Sequence, residues 1–251
     1  MSRRWRWASL AAGWVADSGA SRPLIPWFIR HYGVDVSDAE RPPAEYRSLQ
    51  AFFGRGLLAG TRPINGTANA IVSPVDGVVG ACGAIEMGQL LQAKGRSYSL
   101  VELLGDSAAA SRLEGGLYST LYLAPANYHR VHAPAAGRVT RERYIPGAFW
   151  PVNQRAVERV PRLFATNERR VVYLGDLVVV LVGACLVGSI RMNHTPPYSV
   201  DRGQEIGRFA FGSTVIVLAP QALGLRWLVV SGQAVRVGCL LAQSRQELIG
   251  R

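Results

Sequence analysis

Beyond residue 71 the chain is written in short runs of Val, Ile, Leu and Tyr cut apart by glycine and proline, and this punctuation constrains the fold more than any other feature. Runs at 77–84, 116–123, 138–144, 171–174, 178–190, 214–218 and 225–230 read as strands. Upstream the period changes. Leu49, Phe52, Phe53 and Leu57 recur at helical spacing within 46–58, and further helix is predicted at 99–104, 126–130 and 153–160. Helices first and a strand-rich body later predict an α+β fold with a largely antiparallel, barrel- or sandwich-like core. The linker-like stretch 35–45, with Pro42 and Pro43 in sequence, divides a region 1–45 from a body 46–251. SPVDGVV from Ser73 and APAAGRV from Ala133 repeat one pattern of proline, glycine and valine, which fits either a duplicated half-barrel or a repeated turn.

Three strings far apart carry the chemistry. SPVDG ends on Asp76 and Gly77, YHRVHAP holds His129 and His132, and FGST places Ser213 directly after Gly212. Taken alone, Asp76 is a common turn former, His132 a histidine at a strand entry and Ser213 a turn serine. Taken together they are an acid, a base and a hydroxyl, the set that activates a serine nucleophile. The glycine before the serine is the unusual part. Gly212 has no side chain to obstruct attack on its own carbonyl, so the nearest electrophile to the Ser213 hydroxyl is the peptide bond it belongs to. That pattern points to self-cleavage.

These strings, in this order, resemble the bacterial phosphatidylserine decarboxylases. Segments 52–64 (FFGRGLLAGTRPI), 93–105, 146–153, 163–169, 182–190 and 203–216 are also similar to that family, so the resemblance extends over nearly the whole chain. One departure stands at the expected cleavage site, where Phe211 replaces the leucine of the usual LGST.

The resemblance implies a proenzyme. His132, oriented by Asp76, would take the proton of Ser213, whose oxygen attacks the Gly212 carbonyl and turns the amide into an ester. Elimination and loss of ammonia would then leave a pyruvoyl group at residue 213, dividing the precursor into a large chain 1–212 and a small chain 213–251. That covalent group, the cofactor implied here, would form a Schiff base with the amine of phosphatidylserine and act as an electron sink for loss of carbon dioxide. His129 would handle the substrate proton. The implied partners are the phospholipid itself, an anionic membrane surface and the two chains of one precursor; a homodimer is left open.

Composition narrows the alternatives. A formal charge of +11 calls for an anionic partner, and Lys94 is the only lysine among 28 basic residues, so the positive charge is almost wholly guanidinium, which suits phosphate. Beyond RRWRW at residues 3–7 no nucleic-acid-binding pattern appears, so no nucleic acid is expected. Cys82, Cys185 and Cys239 are widely spaced and set among small residues, which reads as buried structural thiols, and no metal-ligand spacing is present. Lys94, in a loop entering a short helix, is a poor anchor for pyridoxal phosphate. The longest apolar run, about fourteen residues at 177–190, is too short to span a bilayer. Trp7, Leu10, Ala11, Trp14 and Val15 share one face of a helix predicted at 3–15, beside Arg3, Arg4 and Arg6, and 23–32 adds Leu24, Ile25, Trp27, Phe28 and Arg30. Two short amphipathic helices lying at the cytoplasmic face of the cell membrane are therefore expected, with simple packing on the core as the alternative. Two other functions fit the residues: a serine hydrolase using Asp76, His132 and Ser213, although no GxSxG elbow is present, and a non-catalytic basic membrane-binding protein.

Overall fold

The computed structural model describes residues 13–93, 96–184, 190–210 and 212–244. Most of the helix expected at 3–15, together with Lys94, Cys185 and Phe211, lies outside them. In chain order the strands are β1 (Ile71–Val72), β2 (Gly77–Ala84), β3 (Gln89–Ala93), β4 (Arg96–Ser99), β5 (Leu117–Leu123), β6 (Arg130–His132), β7 (Gly137–Ile145), β8 (Arg169–Leu174), β9 (Leu177–Gly183), β10 (Ile190–Met192), β11 (Tyr198–Val200), β12 (Glu205–Phe209), β13 (Ser213–Ala219), β14 (Leu225–Trp227), β15 (Ala234–Val235) and β16 (Leu240–Ser244). The helices are α1 (Leu24–Tyr32), α2 (Leu49–Phe53), α3 (Leu100–Leu104), α4 (Ser107–Leu113), α5 (Gln154–Arg159) and α6 (Leu163–Thr166).

The fold is α+β around one eight-stranded antiparallel sheet, ordered β11-β7-β8-β9-β13-β5-β2-β15. One face packs Leu121, Leu123, Val179, Leu181, Val215 and Val217 against Val131, Ile190, Ile206 and Phe209, which belong to or adjoin a smaller sheet ordered β10-β12-β6. The other face buries Val178, Val180, Val182, Ile216 and Leu218 beneath Leu100, Leu103, Leu104, Leu113, Leu163 and Phe164 of the helices. Being covered on both sides explains why β9 reads as an unbroken Val-Leu run instead of an alternating one. The sheet does not close into a barrel; β11 and β15 are its edges.

The two echoed turns have a structural meaning. Each feeds a strand, β2 and β7, near opposite edges of the same sheet, and the turns are backbone partners: Val72 N–H donates to Pro134 O at 3.0 Å and His132 N–H to Pro74 O at 2.8 Å. That pairing draws the segment carrying Asp76 alongside the one carrying His132.

Several boundaries differ from the sequence reading for local reasons. Residues 126–130 are not helical. The Asn127 side chain accepts from Ala124 N–H at 2.7 Å while its own N–H returns to Ala124 O at 2.9 Å, a closed turn that delivers the chain straight into β6. Within 46–58 the α-helix is only Leu49–Phe53, started by the Ser48 hydroxyl accepting from Ala51 N–H and stopped at Gly54. The run at 178–190 divides, β9 ending at Gly183 and β10 beginning at Ile190. The run at 225–230 keeps only the three residues of β14. Helix α4, with Asp106 capping an alanine-rich stretch, carried a readable signal that the strand-centred reading passed over. Cys82 and Cys239 are free but partly, not fully, buried.

Helix α1 buries Ile25 and Phe28 against Val34, Tyr46, Leu49, Phe52 and Phe53, so one apolar cluster runs across residue 45. An adjoining stripe of that helix stays exposed at Leu24 and Trp27. Among the described residues no helix is long and apolar enough to cross a membrane.

Candidate active site

Ser213 is the first residue of β13, the strand that lies between β9 and β5 in the large sheet; it pairs with Gly183 on one side and Leu123 on the other. Alternation along β13 puts its side chain on the face of Val215 and Val217, toward Phe209 and Val131. It is completely buried, and its Oγ has no hydrogen-bond partner among the described residues. An unsatisfied buried hydroxyl costs about 1–3 kcal/mol, which a fold retains where the group has another use. Gly212 before it sits at φ +55°, the left-handed region, and a Cβ there would lie 3.0 Å from the Ala184 Cβ. The residue type is thus dictated by conformation and by space at the bond expected to break.

The two histidines are locked by one device. His129 Nδ1 bonds the Asn127 carbonyl at 2.8 Å and His132 Nδ1 the Gly203 carbonyl at 2.7 Å. A carbonyl only accepts, so each Nδ1 carries the proton and each Nε2 is the basic nitrogen. Beyond that they differ. His132 Nε2 is met by the Tyr128 hydroxyl at 3.0 Å, whereas His129 Nε2 has no partner among the described residues and its ring lies against Phe53, centroids 3.9 Å apart. Burial pushes the His129 imidazole down to about 3, helped by the nearby Arg55 charge and opposed by the Asn127 bond. Burial also lowers His132, while the Gly203 bond and the charges of Glu205 and Asp76 act to raise it. Both rings are neutral at neutral pH.

Asp76 is buried and fully engaged. Arg62 grips it through Nε, at 3.0 and 3.1 Å to the two oxygens, and through Nη2 at 2.7 Å, and Val237 N–H donates to Oδ1 at 2.9 Å. Arg62 Nη1 holds Asp38 as well, at 2.8 Å. Gly77, beside Asp76, admits no side chain, since a Cβ would stand 2.3 Å from Tyr122 O.

The structure therefore gathers all four predicted residues at one end of the large sheet but not into one hydrogen-bonded line. His132 is oriented by Gly203, and Asp76 acts on it through its charge and the paired backbone. From sequence alone Arg55 and Arg62 are only candidate partners of a lipid phosphate and Tyr128 only a chain neighbour of His129 with no role, while Gly203 carries no signal. The TRPI string that contains Arg62 and the tyrosine at the head of YHRVH were in view, but only the folded chain shows which neighbours share a face.

Comparison with known proteins identifies the family. The family model for phosphatidylserine decarboxylase matches residues 49–243. A phosphatidylserine decarboxylase proenzyme of Brevibacillus brevis is 41% identical, the match covering 94% of this chain and 93% of the relative. One from Anaeromyxobacter sp. (strain K) is 44% identical over 90% and 88%, and one from Ectopseudomonas mendocina 40% over 95% and 91%. This chain is a strand-rich α+β body with a buried serine behind a left-handed glycine. The chain belongs to the phosphatidylserine decarboxylase family.

Proposed function

We propose that this chain is a proenzyme that cuts itself between Gly212 and Ser213 and then decarboxylates phosphatidylserine to phosphatidylethanolamine. The observation that carries the reading is the unpartnered, buried Ser213 hydroxyl behind Gly212, found in a chain of this family. His132, neutral and with its ring fixed by the Gly203 bond, takes the Ser213 proton on Nε2 once the Tyr128 hydroxyl that donates to that nitrogen turns aside, and Asp76 steadies the imidazolium through space. Ser213 Oγ then adds to the Gly212 carbonyl, and the C–N bond breaks to give an ester and a free amine at residue 213. Removal of the Ser213 Cα proton expels the Gly212 carboxylate; the resulting enamine tautomerises to an imine, and water replaces nitrogen, which departs as ammonia.

The residues present fit a pyruvoyl group at position 213: the position is dry, at a strand start, and bears no hydrogen bond that conversion of the side chain would break. That group supplies an electrophilic carbonyl that takes the substrate amine and accepts electrons as carbon dioxide leaves. His129, buried beside Phe53 with a free basic Nε2, would take a proton from the substrate ammonium and return it to carbon after carbon dioxide leaves. Asn127 fixes that ring, and Phe53 limits water. A serine hydrolase reading is weaker, because Ser213 is enclosed in the sheet and not raised on an exposed elbow.

The region up to residue 45 is assigned to lipid contact at the cytoplasmic face of the membrane, on the exposed Leu24 and Trp27 flanked by Arg22 and Arg30. Leu24→Ser with Trp27→Ser should weaken binding to anionic vesicles and leave self-cleavage intact; unchanged vesicle binding removes this assignment.

The central test is intact mass under denaturing conditions together with carbon dioxide release from phosphatidylserine. The wild type should give two chains meeting at 212 and 213, the smaller lighter by one ammonia than a peptide that begins with serine, and should release carbon dioxide. Ser213→Ala should remain one chain and be inactive. A wild type that stays whole overturns the reading.

A further inference from the structure

Beside the scissile segment lies a pocket of about 220 Å³ whose walls include Phe209 and Ala210 and an unusual concentration of guanidinium groups. Two separate observations make it a receptor for an anion. The first is a row of like charges across the β10-β12-β6 sheet, where Arg191 stands opposite Arg208 and Arg208 opposite Arg130. Like charges placed directly across strands repel, so such a row needs compensation. Arg130 has it in Glu205 at 2.8 Å, and Arg191 has a long contact to Asp17 at 3.8 Å, but Arg208 has no acidic partner among the described residues.

The second is Arg55. Its side chain comes from the loop after α2, passes the Phe52 ring at 5.3 Å, and is 3% exposed. Only Nη2 is engaged, by the carbonyls of Ala126 at 3.0 Å and Asn127 at 3.4 Å; Nε and Nη1 have no partner. A buried guanidinium with two unused nitrogens and no carboxylate on it is an incomplete ion pair. It also stands close enough to His129 to lower that ring's basicity, which ties the pocket to the reacting end of the site.

We infer that Arg55 and the Arg130–Arg208–Arg191 row bind the phosphodiester of the lipid headgroup and so fix which amines reach residue 213. The inference rests on the decarboxylase reading above and deepens it. Phosphate is favoured over the other anion of the substrate, its carboxylate, on energetic grounds. The carboxylate loses its charge in the reaction, so a cation gripping it would stabilise the ground state more than the transition state and slow the step. The phosphodiester keeps its charge throughout, and planar guanidinium groups match its oxygens. Grip on that group is uniform binding, which appears in KM and not in kcat.

The test uses the self-cleaved enzyme and its Arg208→Gln and Arg55→Gln variants, assayed on phosphatidylserine in neutral detergent micelles. The soluble competitor is glycerophosphocholine, a phosphodiester with no primary amine. Expected are full self-cleavage, a KM raised about tenfold or more with kcat within about twofold, and competitive inhibition by glycerophosphocholine that is lost in Arg208→Gln. Arg208 is partly exposed, so its variant carries the test should Arg55→Gln fail to fold. An unchanged KM with retained inhibition overturns the inference, as does a rise in kcat, which would place these arginines on the carboxylate, or a fall in kcat at constant KM, which would place them on the transition state alone. Competition by inorganic phosphate but not by glycerophosphocholine also overturns it, by making the pocket a free-phosphate site. If cleaved wild type releases no carbon dioxide, the decarboxylase reading fails separately. Calorimetric binding of glycerophosphocholine to wild type and not to Arg208→Gln then still decides the pocket.

Discussion

Two neighbourhoods of this site are built on opposite terms. Around Asp76 the polar groups are saturated: both carboxylate oxygens accept from Arg62, one also from Val237, and both nitrogens of His132 are bonded. Around Ser213 they are left over, with the serine hydroxyl, His129 Nε2 and two nitrogens of Arg55 all unpartnered among the described residues. Saturation fixes geometry and leaves little to react with. Unpaired buried groups cost stability, and a fold keeps them where something else arrives to complete them. The first neighbourhood is thus read as the frame that holds the proton relay, and the second as the place where bonds change and substrate enters.

The sharpest way to break that division is to exchange the histidines' fates. His132→Gln should stay a single chain and therefore show no decarboxylation. His129→Asn should still cut itself yet lose about 10²–10⁴-fold in carbon dioxide release, the usual worth of a positioned acid–base group. Denaturing mass and a decarboxylation assay on both variants decide it, and an uncleaved His129→Asn would erase the distinction.

Next in size is the frame itself. Arg62→Gln leaves Asp76 buried without its cation, a change that costs about 3–5 kcal/mol when one member of a buried pair is removed. Urea unfolding in the uncleavable Ser213→Ala background measures it, and an unmoved midpoint would mean the saturated half holds nothing in place. Gly212→Ala should come third. Forcing a side chain to φ +55° costs about 1–2 kcal/mol, so the half-time of self-cleavage should lengthen; cleavage at the wild-type rate would show that the left-handed conformation is not used.

The smallest effect expected is on stability against pH. The folded protein holds His129 neutral down to about pH 3, while the unfolded chain takes up a proton near 6.5. This contribution is fully present above pH 6.5 and declines as pH falls toward 3, by on the order of 1 kcal/mol between pH 7 and 5.5. Denaturant midpoints at those two pH values should separate for wild type and converge for His129→Asn. Parallel behaviour of the two would place the titration elsewhere.

Much of this site was legible before folding, and what was not is instructive. Glycine before serine could be recognised in FGST because a bond-breaking step restricts the residue before the nucleophile. The strand at 214–218 could be read because a sheet covered on both faces demands continuous apolar sequence, and the one at 77–84 because a turn leads into small and β-branched residues, although only alternate positions of its first half are buried. The turn at 126–130 was misread as helix because one side-chain bond, Asn127 to Ala124, overrides local propensity. Arg62, Gly203 and Arg208 lie 14, 71 and 78 positions from Asp76, His132 and Arg130, and no period in the chain announces such pairings. Electrostatic partners are properties of register, and register appears only when strands are laid side by side.

The place of β13 has a consequence for the life of the enzyme. With β9 bonded along one side and β5 along the other, a chain beginning at residue 213 is woven into the middle of the fabric. A diffusible coenzyme can be lost and reloaded, and its supply can be adjusted apart from the protein. Here the reactive group would be issued once per molecule and could be neither exchanged nor topped up. Chemical damage to it would retire the whole polypeptide, so the cell could restore capacity only by new synthesis.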